Sequence, residues 1–180
     1  KLVGSELKGK TLGVVGLGRI GREVIKRALG MEMNIIGYDP FVNKDVFDPE
    51  KVNLVELEAL CSQSDYITLH LPLLNSTKGL FNSKLLSIMK PSCRIINVAR
   101  GGIIDEVDLA NALNNDEIRG AAVDVFENEP LPTDNPLITA KNILLTPHLG
   151  ASTHEASEGV SFGICRQVRD YLLEGKLVCL

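Results

Sequence analysis

The chain has no tryptophan, and phenylalanine and tyrosine supply only 4% of its 180 residues. The core of a domain this long is therefore expected to be aliphatic, as the interiors of buried parallel sheets are. Long apolar runs are missing as well. None approaches the ~20 residues that cross a bilayer, and Lys1-Leu2-Val3-Gly4 shows no signal-peptide core. Nor is there an excess of one charge: the net −4 comes from scattered acids and bases, which gives no footprint for nucleic acid or an anionic membrane surface. Cysteine is sparse. Cys61, Cys93, Cys165 and Cys179 form neither a C-x-x-C nor a Cys/His spacing. No metal-ligand spacing is therefore present, and reduced thiols in the cytoplasm are the expectation. Asn75-Ser76-Thr77 matches a glycosylation sequon, which without secretion marks only a polar loop.

Glycine, by contrast, is concentrated where it carries information. Thr11-Leu12-Gly13-Val14-Val15 is an apolar run that delivers the chain into Gly16-Leu17-Gly18-Arg19-Ile20-Gly21, a G-x-G-x-x-G string. A helically periodic segment, Arg19 to Leu29, follows at once. Gly16 permits a tight strand-to-helix turn, Gly18 lets a diphosphate approach bare backbone, and Gly21 lets the helix pack close to the strand. The N–H groups and dipole at that helix start attract phosphate. A second strand, Asn34 to Tyr38, ends in Asp39, 18 residues beyond Gly21, near the roughly 20 expected of a ribose-binding acid. Strand, glycines, helix and acid together favour dinucleotide binding over a plain β-turn-α connection. Gly4-Ser5-Glu6-Leu7-Lys8-Gly9-Lys10-Thr11 also fits the phosphate-loop pattern G-x-x-x-x-G-K-[ST]. Its context is inverted: no strand precedes it, and Thr11 begins a strand where a helix is required. It reads as a solvated entry linker.

Further along, Pro40 to Lys51 reads as a loop, and Leu54, Val55, Leu57, Leu60 and Cys61 follow helical spacing. Strands are expected at Tyr66 to Leu71, Arg94 to Val98, Ala121 to Val125 and Ile143 to Leu145. Helices are expected from Ser83, as a cap, to Met89, from Asp105 to about Asn114, and from about Thr153 to Leu173. The last places Ala156, Val160, Ile164 and Val168 on one stripe. Lys176 to Leu180 reads as an exit strand or linker. Alternation of about six strands with helices defines an α/β, doubly wound parallel sheet, a Rossmann fold, in the order 3-2-1-4-5-6. Ligands of such sheets sit at the carboxyl ends of the strands. Asp39, His70, Arg100, Asp124 and His148 all lie at or just past such an end.

Of these, Arg100 suits a substrate carboxylate, which a guanidinium grips by two parallel hydrogen bonds. His148 suits proton transfer, with Glu129 to orient it and favour its charged form. An exposed turn cation, a structural histidine and a solvated loop acid are the plainer alternatives. His70 competes for the proton-carrier role, and His154, at the start of the final helix, reads as surface. No metal-ligand set is present.

Four ordered strings carry a resemblance: Gly16 to Gly21, Asn97-Val98-Ala99-Arg100-Gly101-Gly102, Asp124-Val125-Phe126-Glu127-Asn128-Glu129-Pro130, and Pro147-His148-Leu149-Gly150-Ala151-Ser152-Thr153. Together they resemble the D-isomer-specific 2-hydroxyacid dehydrogenases over essentially the whole chain. The likeness is strongest to members acting on D-3-phosphoglycerate in serine biosynthesis. Glyoxylate/hydroxypyruvate reductases and NAD-sensing corepressors share the motifs and stay open. The resemblance implies NAD as cofactor and a small 2-hydroxyacid or 2-ketoacid as substrate. It implies that Arg100 holds the substrate, His148 is the acid/base and Glu129, not Glu127, pairs with it. Arg19 and Ile20 would lie along the pyrophosphate, Asp39 would take the ribose, and Val98, Ala99 and Asp124 would face the nicotinamide. Leu71, through its backbone, and Gly150 would complete the cofactor contacts with Gly16 and Gly18. It also implies that residues 1–180 are one NAD-binding domain, with 1–10 and 176–180 as crossovers to an absent substrate-binding domain. A homo-oligomer, dimer or tetramer, is implied for the full-length protein, with no nucleic-acid or membrane partner.

Overall fold

The computed structural model describes residues 4–43 and 46–176, in two compact units that meet in sequence between Pro147 and His148. The first unit is a seven-stranded, all-parallel sheet. Its strands are β1 (Thr11–Val15), β2 (Asn34–Tyr38), β3 (Asn53–Leu54), β4 (Tyr66–Leu69), β5 (Arg94–Asn97), β6 (Gly120–Val123) and β7 (Ile143–Leu145). They lie in the order β3-β2-β1-β4-β5-β6-β7. Each side of β1 pairs in register: Thr11 to Val15 with Asn34 to Tyr38, and Leu12 to Val15 with Tyr66 to Leu69. The order reverses at β1, so a crevice opens at its carboxyl end.

Helix α1 (Arg19–Gly30) buries Gly21, Ile25 and Ala28, the inward positions of a 3.6-residue period, and keeps Arg22, Glu23, Lys26 and Arg27 outward. Its inward face joins Leu12, Val14, Ile35 and Met33 in one aliphatic cluster. The opposite sheet face carries a larger cluster built from α2 (Leu57–Gln63), α3 (Ser83–Leu86) and α4 (Glu106–Asn114) against Ile36, Ile67, Leu69, Ile95 and Val123. The core is aliphatic, with Phe81 its one fully buried aromatic among the described residues. Cys61 and Cys93 are free and buried among these side chains, and burial pushes both thiols up to about 12. Cys165 is free and exposed; Cys179 lies outside the described residues.

The doubly wound parallel sheet is present, with one strand more than the six read from the sequence. The addition is β3, two residues long, which pairs with Ile36 and Gly37 at the sheet edge. A two-residue strand has no period of its own to read. It claims Leu54, and α2 begins only at Leu57, so the helical spacing assigned to Leu54 and Val55 reflects packing, not helix. At α3 the cap is Asn82, whose side chain accepts from the Lys84 N–H, and Ser83 is the first helical residue. That helix ends at Leu86, short of Met89. Asp105 does cap α4, accepting from the Val107 and Asp108 N–H groups at 3.0 Å each. Thr11 opens a strand, as the rejection of the phosphate-loop pattern requires.

The second unit contains α5 (His154–Glu174), capped by Thr153 and closed by Gly175 at φ +62°. None of its residues is buried, so the stripe of Val160, Ile164 and Val168 stands exposed. Of the expected exit segment, Leu177 onward lies outside the described residues. No helix among the described residues is long and apolar enough to cross a membrane.

Because Asp105 satisfies two N–H groups at the start of α4, Asp105→Ala is expected to cost about 1 kcal/mol of stability, read by urea unfolding.

Candidate functional site at the carboxyl edge of the sheet

The turn from β1 into α1 is held from three directions. Gly16 lies at φ +93°, and a Cβ there would sit 2.6 Å from the His70 carbonyl oxygen, so only glycine fits. Its N–H donates to the Tyr38 carbonyl at 2.9 Å, and a Cβ on Gly21 would meet the Gly16 carbonyl oxygen. Leu17, fully buried, nails the turn to the core. Above Gly18 nothing lies within 4 Å of a would-be Cβ. Gly18 caps α1 with no side-chain hydrogen bond, and the first turn holds no acid. The first amides of a helix have no partner within it. Here they face open space with Arg19 and Ile20 exposed beside them, a fit for a diphosphate.

Asp39 follows β2 directly. Its Oδ2 accepts from the Leu17 N–H and its Oδ1 from the Phe41 N–H, both at 2.9 Å. The acid is thus fixed against the glycine turn, and each oxygen retains acceptor capacity for a diol.

A cleft of about 390 Å³ opens at the ends of β4 and β5, lined by Ile20, His70, Leu71, Val98, Ala99 and Arg100, with Pro72 and Leu73 at its rim. Six residues named from the sequence as site candidates therefore meet in one cavity: Ile20, His70, Leu71, Val98, Ala99 and Arg100. The Val98–Arg100 turn is folded by a residue the sequence reading gave no role. Asn97, 2% exposed, donates from Nδ2 to the Arg100 carbonyl at 3.0 Å and accepts from the Ala99 N–H at 3.1 Å. The available signal was a polar side chain following the apolar pair Ile95-Ile96 at the end of the strand. Arg100 itself is exposed, its Nη1 donating to the Ala99 carbonyl at 2.6 Å.

His70 is half-buried, with Nε2 3.0 Å from Thr68 Oγ1, and burial lowers its pKa below the usual 6.5. A neutral ring engaged with a threonine is poorly suited to carrying protons. Asp124, just past β6, is buried and accepts from Thr146 Oγ1 at 2.5 Å.

Beyond β6 the chain runs alongside the arginine turn: a Cβ on Gly101 would overlap the Phe126 carbonyl. Glu129 Oε1 accepts from the Phe126 N–H at 3.0 Å, whereas Glu127 points to Lys78, 2.9 Å away. Glu127 and Glu129 thus face different partners. His148 and Gly150 belong to the second unit. His148 is exposed and takes the left-handed φ of +56°, uncommon for a residue with a Cβ. No group of His, Cys, Asp and Glu able to hold a metal occurs among the described residues.

A parallel sheet with its glycine turn at the switch point, and an acid ending the next strand, is the architecture of a dinucleotide-binding domain. The family described as D-isomer specific 2-hydroxyacid dehydrogenase, NAD binding domain, matches residues 1–150, and the chain belongs to it. D-3-phosphoglycerate dehydrogenase of Methanocaldococcus jannaschii is 49% identical over 97% of this chain and 33% of that protein. Its human counterpart is 46% identical over 98% and 33%. The chain thus spans about a third of the curated relatives it matches. Among solved structures, a glyoxylate reductase from Paecilomyes thermophila superposes with a TM-score of 0.90 at 34% identity, over 98% of this chain and 53% of that one.

Two outcomes follow from the geometry. Gly16→Ala forces a Cβ into a strained backbone, costing about 1–3 kcal/mol of stability and weakening NADH binding in a fluorescence titration. His70 stays neutral in the fold while the unfolded chain takes up a proton near 6.5. Stability therefore falls as pH drops below that value, toward the folded pKa. His70→Gln should flatten that acid slope in thermal unfolding.

Proposed function

We propose that the protein carrying this chain is a NAD-dependent dehydrogenase that oxidises D-3-phosphoglycerate to 3-phosphohydroxypyruvate. The substrate reading rests on the 49% identity to a relative bearing that activity's name. The reaction class is supported by the carboxyl edge of the sheet, where a bare helix start, a fixed acid and an exposed guanidinium share one rim. Residues 1–180 act as the cofactor domain, with 1–10 and 176–180 leading to a substrate-binding domain outside them. By the family resemblance, the full-length enzyme is a cytoplasmic homo-oligomer of serine biosynthesis.

NAD, when bound, accepts the hydride from C2 of the substrate. The chain's own residues bind and orient the cofactor and carry the proton. The amides of Gly18, Arg19 and Ile20 and the α1 dipole hold the diphosphate, while the Asp39 carboxylate takes the adenosine ribose hydroxyls and repels a 2′-phosphate. By the family resemblance, Val98, Ala99, Leu71 and Asp124 face the nicotinamide and Gly150 is a further cofactor-binding residue. Arg100 binds the substrate carboxylate through a two-point contact that fixes C2. By the family resemblance, His148 is the group that removes the hydroxyl proton and Glu129 the acid that stabilises the resulting imidazolium. In the reverse direction the same imidazolium returns the proton to the carbonyl oxygen.

A glyoxylate/hydroxypyruvate reductase is the second reading, favoured by the TM-score of 0.90 to the solved glyoxylate reductase. Turnover of D-3-phosphoglycerate against glycerate by the full-length protein separates the two. Asp39→Ala is expected to weaken NADH and to narrow its preference over NADPH; unchanged NADH affinity would remove the ribose assignment. His148→Asn should lower kcat by about 10²–10⁴ with NADH binding intact.

A further inference from the structure

We propose that Glu106, in the first turn of α4, is a positioning residue that sets the catalytic loop Glu127 to Pro136, and through it Glu129. The inference rests on the role of Glu129 proposed above. The Glu106 carboxylate is divided between the two ends of that loop. Its Oε1 accepts from the Glu127 N–H at 2.8 Å, and its Oε2 accepts from Asn135 Nδ2 at 2.6 Å. Asn135 cannot turn away, because its Oδ1 caps the 3₁₀ turn Pro136–Thr139 by accepting from the Leu137 N–H at 3.0 Å. Leu137 is fully buried, so this end of the clamp is anchored in the core.

Between the clamped ends lie Pro130 and Pro132, whose fixed φ angles stiffen the span, and Pro136 follows Asn135 directly. Pinning both ends of a stiff loop pins its middle. Glu129 adds a local contact, its Oε1 accepting from the N–H of buried Phe126. That contact fixes the glutamate only while the segment from Phe126 to Glu127 keeps its course, and the Glu106 bond to Glu127 holds that course. Neighbouring acids serve other elements: Asp105 caps α4 itself, and Asp108 Oδ2 accepts from the Ser83 N–H at 2.7 Å. Glu106 is the first-turn acid of α4 aimed at the loop that carries Glu129.

The test uses the full-length enzyme and four variants. Glu106→Ala is expected to lower kcat about tenfold or more, with NADH affinity within twofold, because a small misplacement of a catalytic group is costly. The acid limb of the kcat/KM pH profile should move to lower pH, as it should in Glu129→Gln. Glu106→Gln keeps an acceptor for the Glu127 N–H but sets two amide donors against each other at Asn135, so it should also lose activity. Adding Asn135→Asp to it restores the donor–acceptor match while the new carboxylate still caps Leu137, and activity should return. A merely structural role predicts lower thermal stability with an unmoved pH profile. That result, or a double variant no better than Glu106→Gln, overturns the inference. If Glu129→Gln itself leaves rate and pH profile unchanged, the reading of Glu129 fails, and the inference fails with it. If only the Glu106 variants are silent, the inference alone fails.

Discussion

The contact on which the rest of the first unit depends is the one between Gly16 and the end of β4. The His70 carbonyl lies where a side chain on Gly16 would have to go, and the Gly16 carbonyl in turn lies where a side chain on Gly21 would go. Two absent side chains therefore let three pieces of backbone nest: the β1 turn, the start of α1 and the end of β4. That nesting brings the uncapped amides of α1 to the carboxyl edge of the sheet. It also sets Leu17 in the core and its N–H against Asp39, so turn and acid are fixed by one another. In the proposed function, diphosphate and ribose are recognised together because these two groups cannot move independently.

The remainder of the edge is held by side-chain hydrogen bonds that fix its turns and loops. Asn97 folds the turn of Arg100, Thr146 holds Asp124, and Glu106 spans the loop of Glu129. Each of these supporting groups bonds to backbone or to a polar side chain, and at Asn97, which is buried, solvent competes least for the two bonds that fold the arginine turn. No buried side-chain nitrogen or oxygen among the described residues is left without a partner. His70 illustrates the converse. It stands in the same cleft as Arg100, but its ring is half-buried against Thr68, and burial disfavours the charge that a proton carrier must bear.

Much of the edge was legible from residue order because local rules act over a few residues. The glycine string, the apolar strands and the strand-end positions of Asp39, His70, Arg100 and Asp124 are of this kind. Asp105 as a cap is another, since an N-cap bonds to amides two and three residues along. Where reading failed, the deciding partner was distant. At α3, Asn82 is the cap through the Lys84 N–H, and the Ser83 N–H is bonded to Asp108, 25 residues on. Leu54 belongs to a strand only because Gly37 pairs with it.

By itself, then, the sequence determined the alternation of strand and helix, the turn that needs glycine, and which polar residues end strands. These follow from steric limits and side-chain periods that operate within one segment. The tertiary structure alone decided the seventh strand, the separate partners of Glu127 and Glu129, the neutral setting of His70, and the supports at Asn97, Thr146 and Glu106. Parallel strands pair across long loops, so the groups that meet at their ends come from segments whose proximity no local pattern encodes.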